Sequence, residues 1–139
     1  MGRILGVDYG THRIGIASSD PMQMFASALE VIPATPVAAC LSRLEELCRR
    51  QEVERVVVGL PLNMNGTKGP AAEAAEAFAE KLRGVVAVPV VLWDERLTTK
   101  SAHDALIEAG TRREKRKDVV DKVAAQILLQ HYLDAQCPT

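Results

Sequence analysis

The order of strand-like and helix-like segments restricts the possible folds of this chain more than any other feature. The strand-like segments are Ile4–Asp8, Arg13–Ser18, Ser27–Ile32, 54–59 and 88–93. The first two flank a short connection, Tyr9–His12, that is typical of a hairpin. Helical patterns separate the later strands, and right-handed crossovers then limit the connections. This order predicts an α/β fold with a five-stranded mixed sheet and helices on both faces.

Four helical patterns complete this plan. The first has Thr35 as its predicted N-cap and Pro36 as its first helical residue. The others run from Gly69-Pro70 to Arg83, from Thr98 to Ala109, and from Asp118 to Ala135. A chain of 139 residues with 47% hydrophobic residues is long enough for one well-buried domain, which we expect to span residues 1–139.

Acidic residues follow two of the predicted strands. Asp8 ends the first strand, and Asp94 and Glu95 follow the last one. Open α/β sheets bind ligands at the carboxyl ends of their strands, where we also expect the polar loop after Gly59. Together with Asp121, near the start of the last helix, these carboxylates are suited to hold divalent cations that activate water against a phosphodiester.

Asp121 lies on the packed side of its predicted helix. At 100° per residue it points the same way as Ala125, Leu128 and Tyr132, whereas Lys122, Gln126 and Gln130 form a stripe predicted to face water. An acid in a first turn also suits the helix dipole, but that role does not explain why it faces inward. Asp118, on the border of the same arc, is a second candidate ligand, with capping as its alternative role.

Asp8 and the pair Asp94-Glu95 each have two interpretations. An Asp before a glycine turn is common, but a carboxylate at the end of a buried strand requires a cation or a hydrogen-bond partner. Gly10 and Gly15 leave space beside Asp8, as if a bulky ligand approached the backbone. Strand alternation puts Asp94 and Glu95 on opposite sheet faces, and the sequence alone does not show which face Asp8 uses.

Local charge, rather than total charge, points to nucleic acid. The chain has 17 basic and 18 acidic residues, but five of the six residues in Arg112–Lys117 are basic. This run forms a predicted loop before the last helix, and its simplest interpretation is a solvated surface. No apolar stretch reaches membrane-spanning length, and no secretory leader pattern is present. The odd number of cysteines argues against a disulfide framework, and we expect a cytoplasmic protein with Cys40 and Cys48 in its core.

Four motifs, in the same order along nearly the whole chain, resemble the YqgF/RuvX family. They are Gly6–Ala17, Val58–Pro61 with Asn63–Gly66, Asp94–Thr99, and Val120-Asp121 followed by Ala124-Ala125. The family consists of bacterial proteins with a ribonuclease H-like fold that are related to Holliday junction resolvases. The resemblance implies a nuclease for 5′-end maturation of pre-16S ribosomal RNA, with junction resolution as an older proposal.

The resemblance also implies a set of site residues. The metal-binding acids would be Asp8, Glu95 and Asp121, with Asp94 as a competitor of Glu95. Asp118 gives an Asp-x-x-Asp pair like that of the true resolvases, where this family more often has a basic residue. The expected cofactor is one or two ions of Mg²⁺ or Mn²⁺, which activate water without a histidine base. If two ions bind, Asp8 would bridge them.

Residues around this site are expected to bind the RNA backbone. They are Arg13, Asn63, Asn65, Lys68, Arg96, Arg112, Arg113, Lys115, Arg116 and Lys117. Because aromatic residues make up only 4% of the chain, base stacking is expected to be minor and sequence preference weak.

Three other functions compete with this prediction. A DNase acting on four-way junctions would use the same acids, and the sequence does not decide between a monomer and the homodimer that such a substrate favours. A non-catalytic RNA-binding or transcription-associated factor would keep the basic run without needing the carboxylates. A sugar-kinase/actin-like ATPase also has a glycine turn after its first strand, but it needs a second lobe that 139 residues do not supply.

Overall fold

A five-stranded mixed sheet forms the centre of the structure. The computed structural model describes residues 2–94 and 113–136, with side chains described for 2–94 and 123–136. The strands are β1 (Arg3–Tyr9), β2 (Arg13–Ser19), β3 (Ala26–Pro33), β4 (Val53–Leu60) and β5 (Val90–Asp94). Their order across the sheet is β3-β2-β1-β4-β5. The two hairpin pairs are antiparallel, whereas β1, β4 and β5 run parallel, as the predicted mixed sheet requires.

Helices cover both faces of this sheet. In the described residues they are α1 (Val37–Arg50), α2 (Pro70–Arg83) and α3 (Arg113–Gln136). The predicted bounds of α2 are confirmed, with Gly69 and Gly84 as its capping residues. The helix predicted from Thr98 to Ala109 lies outside the described residues.

Two predicted helix starts are wrong. Helix α1 begins at Val37, and its N-cap is Pro36 rather than Thr35. The Pro36 carbonyl accepts hydrogen bonds from the Ala39 and Cys40 amides, so the backbone itself closes the first turn. Helix α3 begins at Arg113, so most of the basic run predicted as a loop is helical. Arginine, lysine and glutamate are good helix formers, and neither glycine nor proline interrupts residues 113–136.

The side chains of β1 alternate between two apolar cores. Leu5 and Val7 pack with residues of α1 and α2, including Leu44 and Phe78. On the other face, Ile4 packs in a second core that contains α3 residues. The α3 residues buried in this core are Ala125, Leu129, Tyr132 and Leu133. The sheet thus separates one layer that contains α1 and α2 from a second layer that contains α3.

Glycines allow two close approaches beside β1. A Cβ on Gly6 would lie 2.8 Å from the Leu129 Cβ, so α3 packs directly on the strand backbone. A Cβ on Gly10 would lie 2.6 Å from the Arg13 carbonyl oxygen. The tight neighbour of Gly10 is therefore the hairpin's own backbone, and this glycine does not need a ligand to explain it.

Two glutamines of the α3 stripe predicted to face water instead bind an edge strand. Gln130 Oε1 accepts a hydrogen bond from the Ala26 amide at 2.8 Å, and its Nε2 donates to the Met24 carbonyl at 2.9 Å. Gln126 Nε2 donates to the Ala26 carbonyl at 3.2 Å. Helical periodicity predicts that the two glutamines belong to a polar stripe. In the structure both lie against the start of β3, where they bond to backbone amide and carbonyl groups.

Cys40 and Cys48 are buried at 2% and 8% exposure, as predicted. Burial raises the pKa of the Cys48 thiol to about 11, and the nearby Glu45 carboxylate adds to this effect. Within the described part of the chain, none of the helices has the length and apolar character of a membrane span.

Candidate active site

Asp8 lies near the carboxyl end of the central strand β1. It is half-buried and pairs with Gly15 of β2 across the hairpin. Its position alternates with Val7 and matches Ile4 and Gly6, so its side chain is on the α3 face of the sheet. The structure thus identifies the face that the sequence left open.

The ends of the three parallel strands lie side by side. Val7 of β1 is in register with Val58 of β4, and Leu60 at the end of β4 is in register with Asp94 of β5. The predicted common edge for Asp8, the loop after Gly59 and Asp94 is therefore confirmed.

Asp94 belongs to the opposite face from Asp8. Val90 and Leu92 pack in the core with α1 and α2, whereas Val91 and Trp93 pack against the α3 core. By the same alternation, Asp94 follows Leu92 to the α1 and α2 side, and it is exposed. Strand alternation thus assigns Asp8 and Asp94 to opposite faces of the sheet.

Helix α3 runs antiparallel to β1. Tyr132, near its carboxyl end, accepts a hydrogen bond from Arg55 at 2.6 Å, and Arg55 is in register with Ile4 at the start of β1. One and two turns earlier, respectively, Leu129 and Ala125 lie over Gly6. The helix backbone therefore passes from the amino end of β1 towards its carboxyl end as the residue numbers fall.

Two of the three predicted ligands lie outside the side chains that the structure describes. Glu95 lies outside the described residues, and positions 118 and 121 are described only as helix backbone. Among the side chains that the structure describes, no three His, Cys, Asp or Glu residues form a group able to hold a metal ion.

Arg13 begins β2 on the same sheet face as Asp8. Because Asp8 pairs with Gly15, and Arg13 is two residues before Gly15, all three positions share one face. His12 is exposed in the hairpin turn, and its carbonyl accepts a hydrogen bond from the Ala34 amide at 2.9 Å. In this position Arg13 can approach a phosphate on the side of the sheet that carries Asp8.

The loop between β4 and α2 is folded by its own polar residues. The side-chain Nδ2 of Asn63 donates to the Thr67 hydroxyl at 3.0 Å. The backbone amide of Asn63 donates to the Thr67 carbonyl at 2.9 Å. Asn65 Oδ1 accepts from the Thr67 hydroxyl at 2.6 Å, and Lys68 forms a salt bridge of 3.0 Å with Glu76. The predicted RNA-binding residues Asn63, Asn65 and Lys68 thus already stabilise the loop.

The other predicted RNA-binding residues fall in the last part of the chain. Arg96 and Arg112 are outside the described residues. Arg113, Lys115, Arg116 and Lys117 lie in the first turns of the α3 backbone. Since α3 runs from the carboxyl end of β1 to its amino end, these positions belong to the half of the helix that extends towards and past the Asp8 edge.

Sequence reasoning missed an aromatic pair behind Asp8. Tyr9 stacks on Phe78 of α2, with ring centroids 4.6 Å apart and an interplanar angle of 25°. Tyr9 packs against the core on the α1 and α2 side, so it anchors the end of β1 from the face opposite Asp8. The sequence signal for this contact was alternation along the strand, which puts Tyr9 on the same face as the apolar residues Leu5 and Val7.

Comparison with known proteins finds one family over nearly the whole chain. Residues 2–135 match the family model described as "RuvX: Holliday junction resolvase". A "Putative pre-16S rRNA nuclease" of Moorella thermoacetica is 52% identical over 95% of this chain and 94% of the relative. Relatives with the same name are 50% identical in Pelotomaculum thermopropionicum (96% of this chain, 88% of the relative) and 49% identical in Listeria innocua (95% and 97%).

Solved structures share the fold at low sequence identity. Thermus thermophilus RuvC in complex with a Holliday junction substrate matches with a TM-score of 0.59 and 21% identity, covering 98% of this chain and 96% of RuvC. The fowlpox virus resolvase with Holliday junction DNA matches with a TM-score of 0.57 and 13% identity, covering 98% and 99%. The predicted ribonuclease H-like fold is thereby confirmed.

Proposed function

The chain belongs to the RuvX family and is a nuclease of that family; we propose that it hydrolyses RNA phosphodiesters in the 5′-end maturation of pre-16S ribosomal RNA. We further propose that Asp8, Glu95 and Asp121 form its catalytic centre and bind Mg²⁺ or Mn²⁺. The relatives' shared name supports the RNA substrate.

The observation that carries this proposal is the antiparallel packing of α3 on the face that holds Asp8. Asp8 is two residues beyond Gly6, a rise of about 7 Å along a strand. Position 121 is one turn before Ala125, a rise of about 6 Å in the same direction along the helix. The two backbones therefore advance by similar amounts, which supports a site shared by Asp8 and Asp121.

Strand parity supports Glu95 over Asp94 as the third acid. Asp94 is on the face opposite Asp8, and its side chain is exposed. A ligand from β5 that joins Asp8 must come from a position of the other parity, and Glu95 is the next residue in the sequence. We therefore leave Asp94 out of the metal centre and keep Asp118 as the candidate fourth acid.

Carboxylates suit this chemistry because Mg²⁺ and Mn²⁺ prefer oxygen ligands. When bound, the divalent cations would supply an activated water and stabilise charge during in-line displacement at phosphorus. Asp8 on the central strand, Glu95 in the sequence after β5 and Asp121 on α3 would together hold the cations. Arg13 would bind a phosphate beside the one that is cleaved.

A four-way DNA junction is the second candidate substrate. The family description names junction resolution, and the two resolvases with the same fold were solved with junction DNA. Such an enzyme would use the same three acids, so the substrate assay must separate the two functions. A dimer that binds both sides of a junction would favour the DNA substrate.

The proposal is tested by assaying the wild type and Asp8→Asn on a precursor 16S RNA fragment and on a four-way DNA junction. Asp134→Asn is the matched control, because Asp134 is exposed near the carboxyl end of α3, far along the helix from the Asp8 edge. Each reaction is run with Mg²⁺, with Mn²⁺ and with a chelator.

We expect metal-dependent RNA cleavage that Asp8→Asn abolishes and Asp134→Asn retains. Cleavage of the junction alone would replace the RNA substrate with the second candidate. RNA binding without metal-dependent cleavage in any variant would identify a non-catalytic factor instead.

A further inference from the structure

We infer that Met64 contacts an unstacked nucleobase of single-stranded RNA close to the cleavage site. This inference rests on the proposed function and adds a base contact to a site whose predicted contacts are all to the backbone. It comes from the loop that joins β4 to α2, whose polar residues are bonded to one another and whose tip is apolar.

The loop is held in one conformation by short-range bonds. Asn63 and Asn65 both bond to Thr67, and the Gly66 amide donates to the Asn63 carbonyl at 2.8 Å. Gly66 has φ of 86°, a left-handed conformation that favours glycine at this turn. The salt bridge between Lys68 and Glu76 ties the end of the loop to α2. A loop fixed in this way presents its tip at little entropic cost.

Met64 forms that tip. Its side chain is 84% exposed, more than that of any other large apolar residue in the described part of the chain; the others that are exposed are Met22, Met24, Phe25 and Val85. A single exposed apolar residue is common on protein surfaces and by itself indicates nothing. Here the methionine lies between two asparagines that fold the loop, which are the residues expected to contact RNA.

The position of the loop puts Met64 within reach of the substrate. Met64 is four residues beyond Leu60, whose register with Asp94 marks the carboxyl edge of the sheet. Four residues span at most about 14 Å, which equals the rise of about four stacked nucleotides at about 3.4 Å each. Leu60 lies beside the end of β1 that carries Asp8, so an RNA strand that runs from Asp8 towards this loop would bring a base within reach of Met64.

Methionine has suitable chemistry for this contact. Its thioether is flexible and polarisable, and it packs favourably on aromatic rings. Apolar side chains such as methionine also insert between base steps of nucleic acids. A base on Met64 would be recognised by its face, so this contact adds affinity and position without demanding a particular base.

The opposite end of the sheet provides a matched control. Met22 is 64% exposed in the connection between β2 and β3. That connection follows Ser19, whose hydroxyl accepts a hydrogen bond from the Ile4 amide at 2.8 Å, at the amino end of β1. Met22 and Met64 are thus both exposed methionines, but they lie at opposite ends of the parallel strands.

The test is a double-mutant cycle between protein and RNA. Binding is measured by fluorescence anisotropy with Mg²⁺ in an Asp8→Asn background, which prevents cleavage. The probes are single-stranded RNAs of one sequence, each with an abasic site at a different position, and the wild type maps the cleaved bond. Met64→Ala, Met64→Leu and Met22→Ala are compared, and their thermal unfolding midpoints are recorded.

We expect one abasic position, within about four nucleotides of the cleaved bond, to weaken binding by about fivefold to tenfold. Met64→Ala should lose this sensitivity, whereas Met64→Leu and Met22→Ala should keep it, with unchanged unfolding midpoints in all three. Equal sensitivity in Met64→Ala and Met22→Ala, or no binding of single-stranded RNA, would overturn the inference. Wild-type cleavage of RNA would still support the proposed function in that case.

Discussion

The alternation of side chains along β5 distinguishes Asp94 from its neighbour Glu95 as a ligand. Val90 and Leu92 pack on one face, Val91 and Trp93 on the other, and Asp94 continues the first series. We therefore predict that Glu95→Gln lowers kcat by at least about a thousandfold, as expected for loss of a metal ligand in a nuclease, because it removes a charged ligand.

Asp94→Asn is the control for this prediction. It changes the adjacent carboxylate by the same substitution, and we expect it to retain kcat within about threefold. Steady-state cleavage of the precursor RNA fragment measures both variants. Loss of activity in Asp94→Asn with Glu95→Gln active would reverse the assignment.

Cys48 is predicted to be unreactive in the folded protein. Its pKa rises from 9.0 to about 11, so its thiolate fraction at pH 8 falls about a hundredfold relative to the unfolded chain. Because the folded pKa is the higher one, the stabilising contribution of the neutral thiol is present below pH 9 and is lost as pH rises through about 11. Alkylation at pH 8, followed by peptide mass spectrometry, should label Cys48 only after denaturant is added. Rapid labelling of the native protein would show that the thiol is accessible.

At the scale of elements, the contact between β1 and α3 is the one on which the site depends. We predict that Gly6→Ala destabilises the protein by about 1–3 kcal/mol, because its Cβ would lie 2.8 Å from the Leu129 Cβ and displace the helix. The same displacement would move α3 relative to Asp8 and lower cleavage more than RNA binding.

Gly84→Ala is the matched control. Its Cβ would meet the Lys81 carbonyl at 3.4 Å, an ordinary contact, and Gly84 has φ of −77°, which alanine adopts freely. Urea denaturation should give a free energy of unfolding for Gly84→Ala that is equal to the wild type or slightly higher. A Gly6→Ala protein as stable and active as Gly84→Ala would contradict the close packing of α3.

The elements differ in how well the sequence predicts them. Short apolar runs and turn residues locate all five strands, since those signals depend on local geometry. The start of α3 was predicted five residues late, because a basic run resembles a solvated loop although its residues favour a helix. Gln126 and Gln130 were predicted to face water, because helical periodicity does not reveal that an edge strand needs hydrogen-bond partners.

At the scale of the whole molecule, the sequence predicts which edge of the sheet carries the acids. It does not predict which face of the sheet each acid uses. Asp8 and Asp94 lie near the carboxyl ends of β1 and β5, and the parallel order of those strands brings them to one edge. Which sheet face each acid uses depends on where the helices pack. That information comes from long-range contacts such as the one between Gly6 and Leu129.

Charge on α3 gives a prediction for the molecule as a whole. If the first turns of α3 contact the RNA backbone, Lys115→Gln should reduce the slope of log Kd against log salt by about 0.7–1. Lys81→Gln is the control, because Lys81 is an exposed lysine near the end of α2, which precedes the amino end of β5. Fluorescence anisotropy at several salt concentrations measures both slopes. Equal slopes for the two variants would show that this part of α3 does not contact phosphate.

The central claim is that one cation site joins acids from β1, the segment after β5 and α3. Its most direct measurement is an anomalous difference map from crystals grown with Mn²⁺. We predict a peak about 2.0–2.3 Å from a carboxylate oxygen of Asp8, with oxygens of Glu95 and Asp121 completing the site. A Mn²⁺ peak held by other residues, or Asp8 and Asp121 carboxylates too far apart to share a site of one or two ions, would contradict the account.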